Sequence, residues 1–439
     1  MPTRIPQIRT ALAAGPLLGG VLCGSLGITR PTLARDLASM AGEIVTWGAA
    51  RATRYALRDH FRGLADIPVY RVSDTGQITR LGLLIPVRPD GFVVVQADGA
   101  TSHHASLPWW ISDMRPQGFL ARAYAHQHAT RLGLPADVRH WSDADALRAL
   151  VLSGGDTVGN VLLGDFARDR FVNANAPALS EVADYPQRAA QALTLGETWS
   201  SAGGEQPKFC AYTARGHVLV KFTAADPNRV TARWRDLLLA EHLALETLAA
   251  ADVPAAVSRV VDQGEQRFLE LLRFDRVGPY GRRALLSLAC LDGEFVGNAA
   301  APWPVLTSEL AKQKAITPQA HADASLLYAF GTLVGNTDMH AGNLSFVSDG
   351  APPYALGPAY DMLPMAFSPT AGGVVRDTLL PPQLHPSVEG VIWRSALVLA
   401  LDYITRLRSD TRFSTTFEPC IDALSQHVAD AQNRIGRLG

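Results

Sequence analysis

Gly335-Asn336-Thr337-Asp338-Met339-His340-Ala341-Gly342-Asn343 follows an apolar run, Leu326 to Val334, whose spacing predicts a helix. Polar groups packed this densely at a helix end are costly to bury unless they carry chemistry. A further carboxylate, Asp361 in Tyr360-Asp361-Met362-Leu363-Pro364, comes eighteen residues after Asn343.

Asp338 and Asn343 lie five apart. That is the spacing of base and metal ligand in the protein-kinase catalytic loop, where the Asp accepts the substrate hydroxyl proton and the Asn holds a magnesium ion. Asp361 stands where the second magnesium-binding Asp of a kinase is expected. Phosphoryl transfer needs such a set: one carboxylate orients the nucleophile, while an amide oxygen and a second carboxylate hold the ions that neutralise the phosphates. Upstream, Ser200-Ser201-Ala202-Gly203-Gly204-Glu205-Gln206-Pro207-Lys208 is a Gly-rich loop opening a β-hairpin. It fits neither GxxxxGK(S/T) nor GxGxxG, which excludes P-loop and Rossmann readings. Its small residues let backbone N–H groups approach phosphates, with Lys208 nearby. One strand on, Val218-Leu219-Val220-Lys221-Phe222 sets a lone lysine among apolar neighbours, like the strand lysine that reaches α/β-phosphates. Glu241 on the following helix is its expected partner. In isolation, Lys221 reads equally as an edge-strand lysine reaching solvent.

From Leu195 the pattern runs loop, strand, turn, strand, helix, strand, then mostly helix. Lys208 to Thr213 and His217 to Phe222 form a hairpin, Trp234 to Ala251 is an amphipathic helix, and Arg267 to Leu272 is an apolar strand. Ile392 to Leu407 and Phe417 to Ile435 are helical by their apolar spacing. Within 191–439, a small β-rich lobe to about residue 276 thus precedes a helical lobe, about 277–439. Residues 63–190 read as a β-rich subdomain. Its strands, Val69 to Val72, Gln77 to Pro86 and Gly91 to Val95, are joined by turn chemistry, and Asn173 to Tyr185 is a linker. Residues 1–62 predict a winged helix-turn-helix. Leu17 to Leu22 is helical, Gly24 to Gly27 turns, a second helix has Thr29 as N-cap and Pro31 in its first turn, and strands Glu43 to Trp47 and Ala52 to Leu57 flank a wing. Leu33, Leu37 and Met40 face the core, which leaves Arg30, Thr32 and Arg35 for a DNA groove and Arg51 and Arg54 for phosphates. Use of the same fold for protein contacts is the competing reading.

The chain's 439 residues allow about three domains. With 18% charged and 47% hydrophobic residues it is globular, neither disordered nor coiled coil. A net charge of -1 excludes a whole-chain electrostatic nucleic-acid binder. Residues 1–62 nevertheless carry eight Arg against Asp36, Glu43 and Asp59, leaving +5 there and -6 elsewhere. Cys23, Cys210, Cys290 and Cys420 show no CxxC spacing, which points to a reducing cytoplasm and no structural zinc. Arg4 and Arg9 before the run Ala11 to Ile28 mimic a signal peptide. Glycines and Pro16 inside that run, and the lack of a small-x-small cleavage site, oppose it. No run approaches the roughly 20 apolar residues that span a bilayer. No GxSxG or HExxH supports a hydrolase or metalloprotease, and His103-His104 reads as an exposed loop.

The loop Ser201 to Lys208, the Lys221 strand, Arg273-Phe274-Asp275-Arg276, Asn336 to Asn343 and Tyr360-Asp361 together resemble the HipA-type serine/threonine kinases, toxins of bacterial toxin–antitoxin systems. The resemblance covers about 195–435 and extends upstream through Pro108 to Ala123 and Gly155 to Gly164. With a fused winged helix, the chain is similar to the HipH (YjjJ) type. The resemblance implies an α+β, bilobal, protein-kinase-like (HipA-like) fold. It implies Asp338 as catalytic base, His340 as support for the catalytic loop, Asn343 and Asp361 as magnesium ligands, and Lys221 as the nucleotide-phosphate lysine. Arg273 and Phe274 would lie at the adenine hinge, mostly through backbone, and Ser201, Gly203, Gly204 and Lys208 would complete the ATP site. For His340, a satisfied core histidine is the plain alternative. Autophosphorylation is implied at Ser201, with Ser200 beside it, and would switch the kinase off by placing up to two negative charges where ATP phosphates bind. Pro207 departs from the family pattern by stiffening that loop.

Three readings follow. The first is an ATP- and Mg2+-dependent serine/threonine protein kinase that arrests growth, an aminoacyl-tRNA synthetase or another translation component being the substrate the resemblance implies. The second is a DNA-binding transcriptional regulator whose kinase lobe senses nucleotide or is inactive. The third is a small-molecule kinase with similar lobes, because fold does not fix substrate. DNA, and a second copy of the chain on a palindromic site, are the partners compatible with the fused module.

Overall fold

A computed structural model describes residues 4–194, 206–348 and 350–438. Helices Ile5–Ala13, Gly19–Leu26 and Arg30–Ala38 bury Ile8, Leu12, Leu22, Leu33, Leu37 and Met40 in one cluster. A three-stranded sheet closes it, with Arg54–Leu57 between Leu17–Leu18 and Ile44–Trp47. This is a winged helix, with one correction to the sequence pattern. Leu17 and Leu18 pair as a strand, and the helix that follows runs on through the expected turn to Leu26, because Gly24 and Ser25 break no hydrogen bond there. Thr29 does stand at the N-cap, but its hydroxyl lies 3.0 Å from that of Thr32 and makes no bond to the backbone.

The next region is a five-stranded antiparallel sheet in the order Thr101–His104, Phe92–Gln96, Ile78–Pro86, Ile67–Val72, Val161–Leu163. Strand side chains alternate between faces, so neighbouring residues are sent to different cores. Leu84, Phe92 and Val94 pack with residues of helices Gly118–Leu132 and Asp143–Ser153. Ile85 and Val93 instead meet Val45, Trp47 and Ala56 of the winged helix. The winged helix is therefore fastened to this sheet by an apolar seam. His103 and His104 lie in the edge strand of the sheet, where a loop was expected, and His103 stacks on Trp47 with ring centroids 5.3 Å apart.

The same alternation builds the small lobe, a four-stranded antiparallel sheet in the order Ser258–Gln263, Gln266–Leu272, Gly216–Phe222, Lys208–Thr213. Val218, Val220 and Phe222 join Tyr185, Phe209 and Phe268 in an aromatic cluster on one face, which turns Leu219 and Lys221 to the other. Helix Tyr185–Thr194 docks on the first face, where the buried Tyr185 hydroxyl donates to Glu270 Oε2 at 2.6 Å. Helix Arg229–Ala250, started by Asn228 whose Oδ1 accepts from the Thr231 N–H, is buried along most of its length. It passes beneath the second face and joins the core of a helical lobe built from Leu288–Phe295, Trp303–Lys312, Pro318–Leu333, Gly390–Ser409 and Glu418–Ile435. The whole is the expected α+β, bilobal, kinase-like fold. No helix among the described residues is long and apolar enough to cross a membrane.

Candidate active site

Helix Pro318–Leu333 ends in a Schellman motif: the Asn336 N–H reaches the Gly331 carbonyl at 2.8 Å and the Gly335 N–H the Thr332 carbonyl at 3.3 Å. Gly335 sits at φ +72, a backbone conformation that glycine adopts without steric cost. The turn throws the following residues into the cleft between the lobes. Asn336, 5% exposed, is the pin of this arrangement. Its Oδ1 accepts from the Asp338 N–H at 3.0 Å, and its Nδ2 donates to the Asp361 carbonyl at 3.1 Å. One side chain thus fixes both acidic segments against each other. Sequence reading had placed Asn336 in the motif without giving it this task.

Asp338 is exposed to the cleft, and its carboxylate makes no hydrogen bond or ion pair among the described residues. Asn343 Nδ2 donates to the Asp338 carbonyl at 2.9 Å, which commits the amide nitrogen and leaves Oδ1 as the atom offered to a cation. His340 is exposed too, so it is no core histidine. Its Nδ1 accepts from the Gly342 N–H at 3.0 Å and caps the short 3-10 turn Ala341–Asn343 that carries Asn343.

Lys221, 140 residues from Asp361, completes the centre. Its Nζ lies 2.7 Å from both Glu241 oxygens and also donates to Asp361 Oδ1. The edge-strand, solvent-reaching lysine is thereby excluded. Burial works to neutralise Lys221, but the two carboxylates outweigh it and hold the ammonium charged. Burial likewise raises Asp361, and the charges of Lys221 and Lys208 reverse this, holding it below the usual carboxylate range. In the buried Glu241, burial prevails and the pKa is raised. Asp361 also adopts φ +53, in the left-handed region where a non-glycine residue costs about 1–3 kcal/mol. The bonds from Lys221 and Asn336 hold it there.

Lys208 is directly opposite Lys221 in the antiparallel pair and is 3% exposed. Burial, aided by the Lys221 charge and opposed by Asp361, brings its amine down to about 8. Arg273 and Phe274 follow the strand Gln266–Leu272 and line the same cavity. The Arg273 guanidinium turns away into a buried ion cluster, with both Asp156 oxygens at 2.8 Å and with Asp275. Phe274 packs against Tyr360, ring centroids 5.9 Å apart. Ser200, Ser201, Gly203 and Gly204 lie outside the described residues. Arg30, Arg35, Arg51 and Arg54 are exposed on the winged helix, with Thr32 part-buried beside them.

Lys208, Lys221, Glu241, Asp338, Asn343 and Asp361 surround one cavity of about 1280 Å³ between the lobes. Two cationic amines and apolar lining residues such as Leu219, Leu271 and Leu272 suit a nucleoside polyphosphate. Among the described residues no group of three or more His, Cys, Asp and Glu is arranged to hold a metal. The Asn343 amide oxygen and the Asp361 carboxylate are instead the sparse, hard-oxygen set that magnesium accepts when phosphates and water supply the rest. Asp113 and Asp156, inside the upstream segments of the resemblance but given no role there, line this cavity and grip its hinge respectively.

Comparison with known proteins agrees with this geometry. Residues 64–172 match the family model "YjjJ-like toxin, middle domain", and residues 200–424 match "HipA-like C-terminal domain". The chain is 37% identical over 443 residues to Toxin YjjJ of Escherichia coli (strain K12), covering 99% of each. In fold it is similar to HipA of Shewanella oneidensis MR-1, solved with HipB and operator DNA, at a TM-score of 0.57 and 16% identity, covering 84% of this chain and 97% of that one. Near-complete coverage at this identity, with a kinase-like cleft formed by residues from both lobes, places the chain in the family of YjjJ-like toxins that carry a HipA-like C-terminal domain.

Proposed function

We propose that this chain is an ATP- and magnesium-dependent serine/threonine protein kinase whose activity underlies its action as a toxin. One observation carries the reading. Lys221, Asp338, Asn343 and Asp361, scattered through the sequence, line one cavity, which is the grouping that phosphoryl transfer requires. Asp338, with its carboxylate unengaged and open to the cleft, accepts the proton of a substrate hydroxyl and aligns that oxygen. Lys221, held charged and oriented by Glu241, would bond the nucleotide phosphates. Asn343 and Asp361 would hold magnesium, which would neutralise charge on the phosphates.

The Gly-rich loop supplies the first acceptors to examine, Ser200 and Ser201; beyond them, a translation component such as an aminoacyl-tRNA synthetase is the proposed protein substrate. Intact-mass spectrometry of the protein with Mg·ATP, beside Asp338→Ala, tests the reading. One added phosphate on the Ser200–Ser201 peptide, absent from the variant, is expected. No added phosphate together with no nucleotide binding would overturn it.

A second reading, a DNA-binding regulator whose kinase lobe senses nucleotide, rests on the exposed Arg30, Arg35, Arg51 and Arg54 of the winged helix. It predicts DNA binding that Asp338→Ala leaves intact, and nucleotide binding without transfer.

A further inference from the structure

The middle region is more than a tether between the winged helix and the kinase lobes. Two of its carboxylates reach the cleft through different partners. At the hinge, Asp156 receives Arg273 Nη1 on both oxygens at 2.8 Å and Arg276 Nη2 at 2.8 Å. Arg273 and Arg276, 8% and 4% exposed at their side chains, also share Asp275, whose Oδ2 accepts the Gly159 N–H at 3.1 Å. Arg276 and Arg282 donate in addition to the carbonyls of Thr157, Gly159 and Gly155. The loop 154–160 is therefore stitched to the strand end that carries Arg273 and Phe274.

At the end of strand Ala284–Ser287, Asp113 takes the Ser287 N–H and the Ser287 hydroxyl, each at 2.6 Å. Ser287 in turn caps helix Leu288–Phe295. The first residue of that helix donates its N–H to the Leu344 carbonyl at 2.7 Å, next to Asn343. Ser287 also pairs across the sheet with Ser345, whose hydroxyl meets Tyr360 at 2.6 Å, and the Tyr360 hydroxyl donates to the Gly342 carbonyl at 3.0 Å. A wedge beside Asp113 secures the join: the Trp109 carbonyl accepts from Cys290, and its ring meets Phe295 edge-on at 5.5 Å.

We infer that the middle domain is a structural half of the nucleotide cleft, with Asp156 a positioning residue for the hinge and Asp113 a positioning residue for the Asn343 turn. The two act through different partners, Asp156 through Arg273 and Arg276 and Asp113 through Ser287, so their loss has different signatures. Asp156→Asn removes the charge that holds two arginines and lets the hinge shift. Asp113→Ala removes both acceptors of Ser287 and loosens the turn that presents the Asn343 oxygen.

The inference rests on the kinase reading, and nucleotide binding separates the two. The full chain is titrated by calorimetry with a non-hydrolysable ATP analogue at fixed and at varied magnesium. Asp156→Asn is expected to weaken the nucleotide about tenfold without altering its magnesium requirement, within the usual range for coupled sites. Asp113→Ala is expected to raise the magnesium needed for half-maximal binding about tenfold while magnesium-free affinity stays within twofold. Asp156→Glu should recover part of the loss, because a carboxylate again faces the arginines. Hydrogen exchange on the unaltered protein, independent of how the variants fold, should show the analogue protecting amides in 109–114 and 154–160. Unchanged exchange there, or variants that bind as the parent does, overturns the inference and leaves the kinase reading standing. Failure of the unaltered protein to bind the analogue overturns both.

Discussion

Replacing Lys221 by Met should destabilise the kinase lobes by an amount that depends on pH. The Lys221 ammonium is the hydrogen-bonded partner of Glu241, whose side chain is 1% exposed, whereas Asp361 at 28% retains contact with solvent. Loss of one partner of a buried pair generally costs about 3–5 kcal/mol, because the other charge is left without compensation. Glu241 can escape that penalty by taking up a proton. From its ordinary value of 4.5, protonation at pH 7 costs about 3 kcal/mol, which caps the loss; at pH 5.5 the cap falls to about 1 kcal/mol. The sign follows from linkage. A carboxyl whose folded pKa lies above its unfolded one penalises the fold fully above the folded pKa and ceases to do so below the unfolded pKa. The K221M deficit should therefore shrink as pH falls from 7 to 5.5. Adding Glu241→Met should restore most of the stability at pH 7, since an apolar pair of similar volume leaves no orphaned charge. Urea unfolding, with hydrogen exchange in Gly216–Phe222 and Arg229–Ala250 to isolate these lobes, measures both effects. A K221M deficit equal at the two pH values, or one that E241M fails to relieve, would refute the reasoning.

Lys208, lowered to about 8, should lose its charge between pH 7 and 9 and weaken ATP binding about tenfold, the worth of one charge-assisted hydrogen bond; Lys208→Met should abolish that pH dependence in calorimetric titrations. Asn336→Ala breaks both bonds that register Asp338 with Asp361, so autophosphorylation should fall about 100-fold for a stability loss of only about 1–3 kcal/mol, read from initial rates and urea midpoints. If the winged helix binds DNA, Arg35→Ala and Arg51→Ala should each reduce the slope of log affinity against log salt by about one where the arginine meets a phosphate, with Asp338→Ala as an unaffected control. Trp47→Ala empties the seam between the winged helix and the five-stranded sheet at a cost of about 3–5 kcal/mol, and limited proteolysis should then cut near residues 58–66.

The kinase-like centre was legible from local strings because its chemistry is carried by short segments. Asp338 and Asn343 share one turn, and a Gly at C′ followed by polar residues announces a helix end in any context. Lys221 stood out as one charge in an apolar strand, and period-two alternation then assigned it to the face opposite Val220. The winged helix was legible for the same reason, apart from strand Leu17–Leu18, whose pairing with Arg54 and Tyr55 lies beyond any local window. His103 was misread as loop because a two-sided edge strand with polar outward residues carries no apolar period; its stacking on Trp47 is a long-range contact.

Residue types and spacing pointed, without any structure, to a kinase-like cleft between a β-rich and a helical lobe and to a basic winged helix at the front of the chain. Only the tertiary structure decided how these parts are joined. Asp113 and Asp156 sit in segments of the resemblance that carry no role in sequence, and Arg273 reads as a cleft residue. Their actual partners lie 174, 117 and 117 residues away. Such ion pairs and caps form between groups that no periodicity relates, because a charge is positioned by whatever backbone the fold brings near it, and folding alone selects that neighbour.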